Sequence, residues 1–379
     1  MQKLRLIGAL LIFALSLGLI PVTTVLGGTI EVEVGTDPAP PVTDGNCTLR
    51  EAIQNANDNA QTYTDCAGGS GTTDTITFKS GVTKVTWTFG IQTGEIFVDT
   101  NIIISQPIIF DGGGISRLFR IAAGGHLTLQ NTTMQNAYTA GAGSTVLIDN
   151  GILSLVNCNV KDNKADGKGG AIAAIGTLND VDITNCQFEN NSAGQDGGAI
   201  FKATNDTLTI QTSRFVGNKA DGSGGAITAS GSGTIIATMF DSNKAKGPDS
   251  TDGGGALMLE NQASFTLVAD AFAGNQATGA DARGGAIFNA FGSNLTINYS
   301  HFGTAPTPLP APFDTLVDPN ETTGANSMGG AIYNRDHLQI LGSSFIGNKS
   351  ANHGGAIAND SPESNDAYIA NSTLNGNTA

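Results

Sequence analysis

The chain has 379 residues, of which 51 are glycine and only 6% aromatic, and a formal net charge of −15. Removing Lys3 and Arg5 with an N-terminal leader takes the remainder to −15 − 2 = −17, and so acidic a surface argues against nucleic acid or anionic lipid as a partner. The composition suits thin coils with many corners rather than a globular α/β core, and no linker-like break divides it into domains.

Residues 1–27 read as an export signal: Lys3 and Arg5 precede an apolar run from Leu6 to Ile20, and Val25 to Gly27 offers small residues for cleavage. The run is shorter than the ~18 apolar residues that a membrane span needs, and no second run of that kind follows. The product is therefore expected outside the cytoplasm, with no transmembrane helix in the mature chain. A strand over Thr29 to Val34 and a proline-rich turn at Pro38 to Pro41 lead into the chain's best helix, Thr48 to Asn57. There Thr48 and Glu51 have capping-box spacing, and Leu49, Ala52, Ile53 and Ala56 share one face. Residues 28–150 then hold this helix and a set of irregular coils, with strands at Thr75 to Phe78, Ile102 to Ile104, Ile108 to Phe110 and Leu127 to Leu129. Asp111 opens a glycine turn, with calcium as its alternative role.

From residue 151 to 379 one pattern repeats. An apolar or aromatic residue recurs as Val160, Phe188, Phe215, Phe240, Phe272, Phe302, Phe345 and Leu374, and Gly-Gly-Ala-Ile or Gly-Gly-Ala-Leu keeps pace, as at Gly197 to Ile200. A period near 27 with short alternating runs and paired glycines excludes helical repeats and is too short for a propeller blade. It fits a right-handed, single-stranded parallel β-helix with three short strands per coil, capped at its start by the helix, which would cover the open strand edges there. Stacking places Asn163, Asn191, Asn218, Asn243, Asn275, Asn348 and Asn377 in one column. We read it as a structural ladder whose amides bridge coils and whose backbones take left-handed corners. Residues 303–328 lengthen one step and form an inserted loop.

Two runs resemble known families. Cys47 to Ile53, reading CTLREAI, resembles the CSLREA domain of exported bacterial repeat proteins, with Thr48 in place of serine. The alternation of Gly-Gly-Ala-Ile with Phe-x-x-Asn resembles the repeats of chlamydial polymorphic outer membrane proteins, which implies a surface-displayed β-helix with a role in adhesion. Those proteins also carry a C-terminal barrel, which is not found up to Ala379. Because Leu374 and Asn377 open a unit whose glycine pair does not follow, an open last coil and end-to-end self-association are expected.

The cysteines pair by position. Cys47 and Cys66 flank the helix, where an exported chain can carry a disulfide. Cys158 and Cys186 occupy one repeat position, as a second disulfide or as two buried thiols. Asp166, Asp196, Asp221, Asp252 and Asp281 lie in the turns before the glycine pairs, where they serve as turn formers, with a calcium-binding edge as the sharper alternative. No cofactor other than that calcium is expected, and no Cys or His spacing forms a metal motif. Three functions compete: an exported adhesion or interaction protein with a surface glycan or protein ligand, a lyase or glycoside hydrolase on a pectin-lyase-like β-helix, and a structural envelope spacer. A lyase or hydrolase needs a convergent acid/base set. Arg214, Arg283 and Arg335 recur at no common position and His126, His301, His337 and His353 are scattered, so the first, non-catalytic reading is preferred.

Overall fold

A computed structural model describes residues 27–88, 94–203, 206–247, 252–304, 318–362 and 367–379. The apolar run of the leader and the proline-rich part of the predicted insertion lie outside these. Every strand pairing is parallel, and the strands fall into four sheets that follow one another around each coil. We number them in chain order within a coil. Among the described residues, sheets 1 and 2 have 12 strands each, sheet 3 has eight, and sheet 4 has ten. One coil runs through Asp180–Thr184, Gln187–Glu189, Ser192–Ala193 and Ile200–Lys202. A coil therefore has four strands rather than three, because the two residues after each ladder asparagine form a short ladder of their own. The first complete coil begins at His126, inside the stretch expected to be irregular.

In sheets 1 and 2 side chains alternate in and out, as in Thr207–Gln211 with Leu208 and Ile210 buried. The middle residues of sheet 2 build the predicted column, which extends upstream through Phe110 and Met134 before Val160 and Phe188. From Phe188 to Phe345 the six rings stack nearly parallel, with centroids 4.6 to 5.1 Å apart. Their centroid spacing matches that of the strands that carry them and lies within the range of favourable parallel ring contact.

The asparagine column forms a continuous chain. Asn191 donates from Nδ2 to Oδ1 of Asn218 at 2.9 Å and to the carbonyl of Val160 at 2.9 Å, while its backbone N–H donates to the same Oδ1 at 3.0 Å. The rung repeats from Asn163 to Asn377. Two corrections follow. The ladder residues do not adopt left-handed backbones; the residue before most of them does, as at Asp162, Asn190, Gly217 and Ser242. And Asn320, assigned by sequence to the inserted loop, is a rung between Asn275 and Asn348, followed by a sheet 3 strand at Glu321–Thr323. Much of the 303–328 stretch is therefore ordinary coil.

The paired glycines serve two separate needs. The first of each pair has positive φ, 68° at Gly197 and 63° at Gly224. The second does not, but a Cβ on Gly198 would stand 2.0 Å from the carbonyl oxygen of Gly225, its counterpart in the next coil.

At the N-terminus the CTLREAI run has a structural task for each residue. The helix spans Leu49–Asp58, with Thr48 and Glu51 forming a reciprocal capping box. It follows strands of sheets 1 and 2 and packs against Ile96–Val98, the first strand of sheet 4. Cys47 is disulfide-bonded to Cys66. Arg50 pairs with the buried Asp37 at 2.7 Å and donates to the carbonyls of Gly94 and Glu95. Asn55 holds the following loop through the carbonyls of Tyr63 and Ala67.

Replacing Asn218 by Ala would strand the backbone N–H of Asn191, leave its Nδ2 with only the Val160 carbonyl, and remove the side-chain donor to the carbonyl of Phe188. The expected cost is about 2–4 kcal/mol, read from urea unfolding. A loss below about 1 kcal/mol would show that water replaces the rung.

Candidate functional site

Four places in the fold gather polar or reactive side chains. The first is a column two residues before the aromatic one: Thr132, Cys158, Cys186, Ser213, Thr238, Asp270, Ser300 and Ser343, all buried. Backbone N–H groups bond forward along it, from Cys158 to Cys186 Sγ at 3.2 Å, from Cys186 to Ser213 Oγ at 3.1 Å and from Thr238 to Asp270 Oδ1 at 2.8 Å. The hydroxyls in turn donate to the carbonyl two residues upstream, as Ser213 does to Gln211 at 2.8 Å. Cys158 and Cys186 are thus two free, buried thiols standing in a hydroxyl ladder. The hydrogen bond between them pushes the Cys186 thiol up, and burial adds to this.

Asp270 departs from that chemistry. Burial pushes its carboxyl well above the usual carboxylate range, against the bonds it receives from the backbone of Thr238 and Val268, and Oδ2 has no partner. The sequence pattern alone gave no warning, because aspartate at this repeat position looks like one more turn residue.

The acidic turns are the second place. Asp166 and Asp221 both directly follow a sheet 3 strand, but Asp196 immediately precedes a glycine pair and Asp252 and Asp281 sit one and two residues further back. Their bonds differ as well: Asp166 accepts from Tyr138 at 2.6 Å, Asp196 pairs with Lys168 at 2.9 Å, Asp252 accepts from Ser223 at 3.1 Å and Asp281 from Asn326 at 2.9 Å. They form no common edge, and among the described residues no group of three or more His, Cys, Asp or Glu side chains could hold a metal ion. The third place is Asp111. It pairs with Lys84 at 2.7 Å and accepts from Gln135 and the Gly113 N–H. Burial opposes its ionisation, but the Lys84 and Gln135 bonds prevail and hold its carboxyl at about 2.

The fourth place is a trough of about 400 Å³ where the chain turns from sheet 4 into sheet 1. Its wall is the first position of successive sheet 1 strands, Asn101, His126, Ile152 and Asp180, which are register partners. Glycines make its floor close: a Cβ on Gly125 would meet the Val98 carbonyl at 2.4 Å, and one on Gly151 the Ile121 side chain at 2.4 Å. Asp180 Oδ1 accepts from the Thr207 N–H at 3.1 Å, and Asp206 Oδ2 from the Asn179 N–H at 2.6 Å. Asn179, fully buried, accepts from the Asn150 N–H at 2.8 Å through Oδ1, while its Nδ2 has no partner. Leu178 lines the trough and is 69% exposed.

Behind the trough Lys202 is fully buried, donating to the carbonyls of Asp206 and Ser230. Burial draws its ammonium down to about 8 against the pull of Asp206 and Asp180. His126 shares Nε2 with the hydroxyls of Ser154 and Thr128, at 3.0 and 3.3 Å, and burial lowers its pKa although Asp182 opposes this. Asp180, Asp206 and Lys202 are therefore each held by backbone groups, and burial disfavours the charged form of His126. The arrangement presents hydrogen-bonding groups to the trough, and its one buried amine lies behind the wall.

Segments 185–202, 212–230 and 342–360 match the Chlamydia polymorphic membrane protein repeat. No curated protein matches the chain in sequence. Among solved structures, a mutant of the PL6 family alginate lyase AlyGC is similar at 13% identity with a TM-score of 0.48. The similarity covers 92% of this chain and 40% of that one.

The state of Asp270 is testable through pH. A carboxyl raised in the folded state costs nothing below about pH 4, where both states hold the proton. As pH rises the unfolded chain ionises first, so stability falls until the raised folded pKa is passed. Asp270→Ser, which restores the hydroxyl, should unfold at higher urea than wild type at pH 7, with the gap closing toward pH 4. A gap independent of pH would show that the carboxyl is not neutral in the fold.

Proposed function

We propose that this chain is an exported, surface-displayed β-helical interaction protein that carries no catalytic activity. The observation that carries the reading is the match of three coils to a polymorphic membrane protein repeat, set on a solenoid whose ladders spend most buried polar groups on holding coil to coil. Two further features support it. A disulfide at Cys47–Cys66 suits an oxidising compartment, as a leader at residues 1–27 requires. No helix among the described residues is long and apolar enough to cross a membrane. The trough adds surface chemistry without an acid/base pair: Asp180 and Asp206 each tie one oxygen to a backbone N–H, and Lys202 is sealed behind them.

The full chain, labelled, should bind saturably to cell or matrix surfaces and be displaced by unlabelled chain. Incubated with polyuronates and neutral glycans, it should release neither unsaturated nor reducing ends. Release that disappears in Asp206→Asn would replace this reading with a lyase or hydrolase.

A further inference from the structure

We infer that the trough beside sheet 1 is a subsite for an uncharged glycan chain lying along the solenoid axis. The inference rests on the interaction-protein reading and names the class of ligand.

Hydrogen-bonding capacity gives the first argument. With one oxygen of each carboxylate engaged by backbone, Asp180 and Asp206 offer their second oxygens as acceptors. A carboxylate can only accept, so the ligand must bring donors. Asn179 supplies the complement: it lines the trough, and its buried Nδ2 is a donor with no partner in the protein, an arrangement that costs free energy until something accepts from it. A sugar hydroxyl both donates and accepts, and can meet both needs along one ring edge.

Charge and shape narrow the class. A polyuronate or sulfated chain would bring acceptors and negative charge to carboxylates on a protein of net charge −15, so it is disfavoured on both counts. Lys202 does not reverse this, because its ammonium is committed to the carbonyls of Asp206 and Ser230 and is buried. Leu178 and Ile152 give the trough an apolar edge, which suits the C–H face of a pyranose. The lining positions, from Asn101 to Asp206, come from five successive coils, a length of roughly 19 Å at strand spacing. The trough is therefore long and open along the axis, the shape of a polymer track rather than of a pocket for one small molecule.

Titration calorimetry on the full chain with cellohexaose and chitohexaose as neutral probes and hexagalacturonate as the anionic one tests this. At least one neutral hexamer should bind, and hexagalacturonate should bind at least tenfold more weakly. Asp180→Ala should weaken the neutral hexamer roughly tenfold or more, whereas Asp221→Ala, which removes the same charge beyond sheet 3, should leave it unchanged. Urea midpoints of both variants report whether either has lost its fold. Equal loss in the two variants, or none in either, would move the site elsewhere and overturn the inference. Hexagalacturonate binding as tightly as the neutral chains would overturn the ligand class. Binding of none of the three would overturn the inference too, while saturable surface binding of the chain would keep the interaction reading.

Discussion

Everything in this fold depends on one constraint: each coil must present its backbone in register to the coil before it. The parallel hydrogen bonds enforce a spacing of about 4.8 Å, and every recurring residue is an answer to what that spacing does at one point on the circuit. At the second glycine of each pair the neighbouring carbonyl comes so near that no side chain fits. At the ladder asparagines the amide spans the gap and satisfies backbone N–H and carbonyl at once. In sheet 2 the rings stack parallel at the spacing of the strands. These residues are fixed by the stacking of the coils and not by any ligand.

The sequence shows these columns because they recur, and it fails where recurrence is absent or misleading. The aromatic positions, the glycine pairs and the capping box of Thr48 and Glu51 were legible, since each is a residue type that few others can replace. The two-residue strands of sheet 3 were not, because Ser192 and Ala193 look like loop. Asn320 was hidden by the run of prolines before it, which suggested that the repeat had lapsed. The left-handed corners were placed one residue late: asparagine tolerates that backbone, but here the ladder needs its amide, and the neighbour takes the turn. The acidic turns looked like one column because each precedes a glycine pair, but their distances to it differ, and the structure gives them different partners.

The candidate site was less legible for a related reason. His126 and Asp180 share the first position of a sheet 1 strand, and Asn179 and Asp206 the position before it, but they come from three different coils, and only the corner between sheets 4 and 1 brings them together. His337 and Asp336 stand at the positions of His126 and Asp206 in a later coil, but the set as a whole does not recur, so no pattern marks it. In a solenoid, positions that vary from coil to coil at one corner are those on which stacking makes no demand, and they are free to meet a ligand.

The step from Phe302 to Asn320 shows what the stacking leaves free. Phe302 keeps its place between Phe272 and Phe345, and Asn320 keeps its place between Asn275 and Asn348, although more residues separate them than in any neighbouring coil. The ladder counts rungs, not residues. A corner between sheets 2 and 3 is therefore a splice point, where chain can be added or removed without shifting any rung above or below. New surface can be acquired there by lengthening a single coil, while the rest of the solenoid keeps its register.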